Sequence, residues 1–443
     1  MKLFLNNYRC FAETREIEVL PLTLIVGENS SGKTSLMAAL RFSLELSRSG
    51  ATSFFNVYPF DLGPYDDIVH ESGLKSTSER FSLKIEKYVD PNSTRFFPHE
   101  SSAASEVRKV LVSCTFFFKS NYGDTVLSSI RLECEGDQMD VRYDEDMRVT
   151  ILSGDTRSEL SQPSMFSEAP SNAAVSLQNS FYMLMTLYYH QDDKEKASFE
   201  RRKLRRFAAL YDALLSDNHH VVATPPVRSV PRKVYTASDD ATIDRAESAP
   251  HELSKVKRSD KKRWARLNRE LNRYGKQAGL FNKLDVKKLT HQDSGPFQLK
   301  VTVRGRSTAI ADVGYGVSQS LPIFADLVNY RGSKAALLLQ QPEVHLHPRA
   351  QAELGSIFAE FVNANSKGLV IAETHSDHLI DRVRIEIKEG RLNPKLVNMV
   401  FLEPGNEQVE VHQIRFDKEG NLRGAPPTYR DFFIREQERV LGF

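Results

Sequence analysis

No apolar run in the 443-residue chain approaches the roughly 18 residues of a membrane-spanning helix. The opening Met1-Lys2-Leu3-Phe4-Leu5-Asn6-Asn7 lacks the apolar core of a signal peptide. Cysteine is scarce. Cys10, Cys114 and Cys134 lie in apolar, strand-like runs without CxxC spacing. Buried thiols in a reducing compartment follow, rather than a disulfide framework or a zinc site. These absences lead to the expectation of a cytoplasmic protein with no membrane partner. Charge of one sign is also lacking: 60 Lys and Arg face 58 Asp and Glu, for a net charge of +2. The molecule is no polycation, so any nucleic-acid surface must be a local patch. No repeat of fixed period is visible.

What is present is a phosphate loop. Leu22 to Val26 reads as a buried strand, and Leu36 to Phe42 as a helix. Between them lies Gly27-Glu28-Asn29-Ser30-Ser31-Gly32-Lys33-Thr34-Ser35. Strand, glycine loop and helix form the context in which backbone N–H groups wrap phosphate oxygens. The helix N-terminus adds partial positive charge. Gly27, Asn29, Ser30, Ser31, Gly32, Lys33, Thr34 and Ser35 are therefore the candidate nucleotide contacts. Lys33 supplies an ammonium for the β- and γ-phosphates, and the Thr34 hydroxyl is a candidate magnesium ligand. ATP and Mg2+ are the expected cofactors.

Along the chain, Lys2 to Asn6 and Ile17 to Leu20 read as short strands, and the helix after the loop runs to about Ser47. Phe54 to His70 reads as a loop. Arg80 to Glu86, Lys109 to Lys119, Val126 to Glu135, Met139 to Tyr143 and Arg148 to Leu152 suggest an antiparallel sheet. Ser161 to Asn172 reads as a linker. Beyond it come apolar Phe181 to Tyr189, a charged helical run to Leu215, and a proline-rich loop from Val221 to Pro250. A basic helix follows from His251 to about Lys276. Between Lys255 and Lys288, thirteen Lys or Arg face three Asp or Glu. This fits a groove for DNA, RNA or an acidic protein, or a solvated face balanced elsewhere. Trp264, the single tryptophan, reads as packing. Phe297 to Val303, Ala335 to Leu339, Gly368 to Ala372, Leu396 to Leu402 and Val409 to Ile414 are strands. Gln351 to Asn363 and Asp377 to Lys388 are helices.

A P-loop needs a second set of groups at neighbouring strand ends. Ala335 to Leu339 ends in Gln340-Gln341-Pro342-Glu343-Val344-His345-Leu346-His347-Pro348, and the next buried strand ends in Glu373-Thr374-His375-Ser376. His375 can reach a γ-phosphate as a donor. His345 and His347, alternating on an extended segment, suit backbone or packing roles better than a metal. Gly314-Tyr315-Gly316-Val317-Ser318-Gln319 opens a helix and makes a second anion-receptive N-terminus. One ATP does not need two such loops from one subunit. Two facing subunits would hold nucleotide between the P-loop of one and this turn of the other, through Gly314, Gly316, Ser318 and Gln319.

The ordered set of Asn7 to Phe11, Gly27 to Ser35, Gly314 to Leu321, Gln341 to Pro348 and Glu373 to Ser376 resembles the ABC-type ATPases of the SMC-like and OLD-like branch. Pro226-Val227-Arg228-Ser229-Val230-Pro231 and Pro427-Thr428-Tyr429-Arg430-Asp431-Phe432-Phe433 are similar to segments in compact members from anti-phage systems such as PARIS and Septu. The resemblance implies an α/β, bilobed ABC-ATPase head with a mixed P-loop sheet, an antiparallel β lobe and a helical insertion. Residues 1–170 would form the N-terminal lobe, 171–290 the insertion and 291–443 the C-terminal lobe. It makes His375 the switch histidine, with Gly314 or Ser318 at the position of the signature serine. It also implies a homo-oligomer, a dimer at least, with a hexamer among the alternatives.

One departure stands out. The family places acids where this chain has Gln340 and often Gln341. An amide cannot be a general base and is a poor magnesium ligand. Glu343 is the carboxylate left nearby. The catalytic candidates are thus Glu343, His375 and Gln341, with Gln340 beside Thr34 at the metal. Three accounts compete: Glu343 substitutes, ATP serves mainly as an assembly ligand with slow hydrolysis, or a native Glu was replaced. Slow hydrolysis with Glu343 contributing is the favoured one. About 40 residues follow Leu402, too few for the nuclease domain of OLD-like enzymes. The expectation is an ATP-binding sensor and scaffold controlling a separate effector, a nuclease, on a phage-encoded trigger. The alternative is a RecF-like DNA-binding ATPase using Lys255 to Lys288.

Overall fold

The computed structural model describes the chain except residues 15, 47–54, 71–79, 91–108, 144–148, 154–155, 161–196, 217–218, 229, 237–248, 293–294, 366, 432–437 and 442–443. The expected linker at Ser161 to Asn172 and the apolar Phe181 to Tyr189 lie outside the described residues. Two compact units interleave along the chain. One comprises Met1–Val19, Ser30–His219 and Glu403–Val411; the other comprises Leu20–Asn29, His220–Leu402 and His412–Phe443.

The strands in chain order begin with β1 (Lys2–Tyr8), β2 (Phe11–Glu13), β3 (Ile17–Glu18), β4 (Leu22–Gly27) and β5 (Phe81–Val89). There follow β6 (Val110–Asn121), β7 (Asp124–Cys134), β8 (Asp137–Tyr143), β9 (Val149–Ser153) and β10 (Thr156–Leu160). The remainder used below are β11 (His220–Thr224), β12 (Lys283–Lys288), β13 (Phe297–Val303), β14 (Arg306–Ala309), β15 (Ala335–Gln340), β16 (Leu369–Glu373), β17 (Val397–Pro404), β18 (Val409–Phe416) and β19 (Leu422–Arg423). The helices are α1 (Lys33–Leu44), α2 (Tyr65–Ile68), α3 (Ala197–Ser216), α4 (Ala249–Ser259) and α5 (Lys261–Gln277). They continue with α6 (Tyr315–Asn329), α7 (Pro348–Asn363) and α8 (Asp377–Lys388).

The first unit is built on the expected antiparallel sheet, in the order β10-β9-β8-β7-β6-β5-β1-β2 with β3 beside β1. Alternation explains it: Phe81, Leu83 and Ile85 of β5 turn inward and are fully buried, while Ser82, Lys84 and Glu86 turn out. An aromatic cluster fills the core. Phe118 stacks on Phe81 at 4.8 Å and meets Phe42 and Phe55 edge-on at 5.6 and 5.4 Å. Two readings are corrected here. The stretch read as a loop from Phe54 to His70 contains α2, whose Tyr65 and Ile68 are wholly buried. Cys10 lies half-buried in the β1–β2 turn rather than in a strand; Cys114 and Cys134 are buried, and all three are free thiols.

The second unit carries a mixed sheet in the order β11-β15-β16-β4-β17-β18-β19. Its centre is parallel: β11 with β15, β15 with β16, and β4 with both β16 and β17. Every residue of β15 is buried, as a strand covered on both faces requires. β11 corrects the loop reading of Val221 to Pro250. Its five residues are too few to show a period before the prolines that follow. The basic helix His251 to Lys276 is two helices, because the Asp260 carboxylate accepts from the Arg263 N–H and starts a new helix. Leu267, Leu271 and Tyr274 form the buried stripe of α5. The following basic run is β12, in a small antiparallel sheet with β13 and β14. Among the described residues, no helix is long and apolar enough to cross a membrane.

Phe118→Ala removes the ring shared by three aromatic neighbours. The expected loss is about 3–5 kcal/mol in urea unfolding, against less than about 1.5 kcal/mol for Phe118→Leu.

Candidate functional site

The P-loop is shared along the chain by the two units: Gly27 to Asn29 belong to the second, Ser30 to Ser35 to the first. In the first unit, Ser30 (φ 63) and Gly32 (φ 86) are left-handed, which bends the backbone into a concave run of N–H groups. Gly32 caps α1, and a Cβ there would stand 2.3 Å from Cys10 Sγ and 3.2 Å from the Phe11 ring. Only glycine fits. Lys33 opens α1 and is buried, and no acid occupies the helix's first turn. The Ser31 hydroxyl is buried with no protein partner. A helix start without acids in its first turn, beside an unsatisfied hydroxyl, fits a polyphosphate anion.

The Asn7 to Phe11 segment braces this loop. The Tyr8 hydroxyl donates to the Ser35 carbonyl at 2.9 Å, and Arg9 Nε donates to Ser35 Oγ at 3.4 Å. Burial pushes the Tyr8 phenol far above its ordinary range, so it remains a donor.

In the second unit the register sets the other groups. Gln340, ending β15, lies opposite Glu373, ending β16, and Glu373 lies opposite Ile25 of β4. The Thr374 N–H donates to the Ile25 carbonyl at 3.0 Å. Past Gln340 the chain turns sharply, with Gln341 at φ 43 and its N–H on the Glu373 carbonyl at 2.9 Å. That turn carries Glu343 inward. Its Oε1 accepts from the His375 backbone N–H at 2.7 Å, while its Oε2 is buried without a hydrogen-bond partner. Burial raises the Glu343 carboxyl above its ordinary value, against the opposing pull of the His375 N–H, the Thr374 hydroxyl and Arg228. Gln340 is buried too, and its Nε2 has no partner. The orphaned Gln340 amide can donate to a phosphate oxygen, and the orphaned Glu343 oxygen in the following turn can accept from water. Gln340 offers an amide, a poorer ligand for a divalent cation than a carboxylate.

His375 is exposed, between that strand end and Ser376, which caps α8 through its hydroxyl. A cavity of about 290 Å³ lies beside it, lined by Gly27, Glu28, Thr374, Phe401 and Tyr429. Arg430, also lining it, pairs with Asp377 in the first turn of α8 at 2.7 Å.

The glycine turn opens α6 with Gly314 as its N-cap and no acid in the first turn. Gly314 and Tyr315 are exposed, and the Tyr315 ring leans on His345 at 5.7 Å. Ser318 and Gln319 are buried. The Ser318 hydroxyl donates to the Tyr315 carbonyl, and Gln319 Oε1 accepts from the Arg228 N–H at 3.2 Å. Of the two registers left open by the sequence, Gly314 is the one at the exposed helix start. No residue of this turn lines the cavity beside Gly27. His347 caps α7, its Nδ1 accepting from the Arg349 N–H. Trp264 packs partly buried against the core, with the Lys257 ammonium 5.5 Å above its ring. Lys261, Lys262, Arg266 and Arg269 stand exposed on α5. Sequence reasoning placed Glu373 at this strand end but did not bring Arg228 into the neighbourhood, for which an arginine between prolines in an otherwise apolar stretch was the available signal.

A nucleotide-binding α/β protein of the P-loop class is what this fold and loop define. The AAA ATPase domain family matches residues 1–380, and the chain belongs to that family. Among solved structures, an SMC head bound to the C-terminal winged-helix domain of ScpA is 12% identical, with a TM-score of 0.44, covering 94% of this chain and 98% of that one. An SMC head with an extended coiled coil, bound to a C-terminal domain of ScpA derived from Pyrococcus furiosus, is 11% identical, with a TM-score of 0.40 and coverage of 99% and 98%. The SMC head domain from Thermotoga maritima is 10% identical, with a TM-score of 0.34 and coverage of 93% and 97%. No curated protein sequence matches.

A Cβ at Gly316 would stand 2.8 Å from the His345 carbonyl, whereas Gly314 has open space. Gly316→Ala is expected to cost about 1–3 kcal/mol in thermal unfolding, and Gly314→Ala well under half of that.

Proposed function

We propose that this ATPase is of the ABC, SMC-like type, and that it uses ATP mainly to assemble copies of itself. The observation that carries the reading is the pair of helix N-termini, α1 and α6, both free of acids in their first turns. One copy's P-loop holds the triphosphate through Lys33, Thr34 and the loop N–H groups; the Gly314 turn of a second copy closes on it. Bound Mg·ATP supplies the terminal phosphoanhydride and neutralises charge on it. In the chain's own part of the chemistry, Glu343 would take the proton of the water that attacks the terminal phosphorus as its bond to the departing ADP breaks, His375 would donate to the terminal phosphate, and Gln341 and Gln340 would orient water and cation. With amides where acids would serve better, turnover is slow. A dimer is the minimum assembly.

The resemblance of the Pro226 to Pro231 and Pro427 to Phe433 segments to anti-phage ATPases supports a sensor and scaffold. It would govern a separate effector nuclease, released by a phage-encoded trigger, in the cytoplasm. Expression with the neighbouring gene tests this: a complex that comes apart on phage challenge supports it, and a chain that binds no neighbour defeats it. A second reading, a RecF-like DNA-binding ATPase, draws on the exposed cationic side chains of α5. It requires duplex binding that weakens steeply with salt and is lost on reversing Lys261, Lys262, Arg263 and Arg266.

Glu343→Gln is expected to lower kcat by about 10²-fold or more while ATP-dependent dimers persist in light scattering. Lys33→Ala should abolish both. Because a base must be deprotonated and burial raises the Glu343 carboxyl, kcat of the parent should fall with decreasing pH from above the ordinary carboxylate range. A pH–rate profile flat down to the range of a solvated glutamate would remove Glu343 from the chemistry.

A further inference from the structure

The loop following β11 is inverted with respect to hydrophobic preference. Val227 and Val230 are 82% and 68% exposed, while Arg228 between them is 5% exposed. The buried guanidinium makes no hydrogen bond to a carboxylate. Its terminal nitrogens donate to three backbone carbonyls: Gln319 at 3.1 Å, Gln340 at 3.3 Å and Gln341 at 3.4 Å. Its own N–H donates to Gln319 Oε1, and its Nε has no partner. Burial drives the guanidinium down to about 10, with Glu343 opposing as the nearby anion. A buried cation held this way is a poor device for stability, since apolar residues of similar volume commonly do as well. What a hydrophobe cannot reproduce is a planar fork reaching several carbonyls at once.

Those carbonyls belong to two different functional segments. Gln319 lies in the first turns of the signature helix α6; Gln340 and Gln341 form the strand end that carries Glu343. We propose that Arg228 is a positioning residue that fastens the α6 N-terminus to the Gln340–Glu343 turn. Engagement of the Gly314 turn is thereby transmitted to the carboxylate of the same copy. The link deepens the sandwich reading, on which its signalling role rests, but the fastening itself is a property of a single chain.

The test compares the parent with Arg228→Met, Arg228→Lys and Gln319→Leu. Without nucleotide, hydrogen exchange in Arg228→Met should quicken at both 314–320 and 340–346, with the antiparallel sheet of the other unit unchanged. With ATP, kcat should fall more than tenfold while KM stays within about twofold, because the P-loop keeps its contacts. Arg228→Lys should recover little, since one ammonium cannot span the three carbonyls. Gln319→Leu, which removes the Oε1 acceptor of the Arg228 backbone N–H and leaves the three carbonyls in place, should give a smaller fall in the same direction and covers the case in which Arg228→Met does not fold. Exchange that quickens in one segment alone, full rescue by lysine, or an unchanged kcat overturns the proposal. If ATP fails to dimerise the parent, the sandwich reading falls, and exchange in the nucleotide-free chain still decides the role of Arg228.

Discussion

The parallel register of three buried strands is the constraint on which the rest depends. Gln340 beside Glu373, and Glu373 beside Ile25, put the ends of β15, β16 and β4 at one edge of the second unit's sheet. Parallel strands deliver their carboxyl ends together, and loops leaving that edge collect polar groups that the sheet interior cannot hold. Gly27, Glu343 and His375 all leave from that edge. So does the distribution of polarity: β15 is buried along its whole length, and its single amide comes at the last residue.

That edge is also where the chain accepts unfavourable local arrangements. Gln341 and His345 take left-handed backbone angles, Glu343 is a carboxylate out of water, and Arg228 is a guanidinium satisfied only by carbonyls. Each costs free energy that an apolar or glycine-containing turn would not. Two buried polar atoms without hydrogen-bond partners, Gln340 Nε2 and Glu343 Oε2, and a buried guanidinium meet there, whereas β5 alternates regularly and aromatic rings pack around Phe118.

Much of this was legible beforehand where a segment carries its own signal. The P-loop needs only local residues: an apolar strand, two glycines at fixed spacing, a lysine and a helix. β15 and β16 are continuous apolar runs, and α7 and α8 have clear periodicity. Elements whose identity depends on a distant partner were not legible. His220 to Thr224 is a strand because β15 lies beside it, and Lys283 to Lys288 because β13 does. The break between α4 and α5 turns on one carboxylate, Asp260, which resembles any other charge in a basic run.

The sequence alone determined the loop chemistry, the alternating and buried strand types, the amides at Gln340 and Gln341, and the presence of a second glycine-rich helix start. These are local, set by spacing and side-chain type. Only the tertiary structure decided that Glu343 faces inward onto the His375 N–H, that Gln319 is buried while Gly314 is exposed, and that Arg228 joins them. Those outcomes depend on which strands pair and where a turn points its side chains, and neither is written in any one stretch of chain.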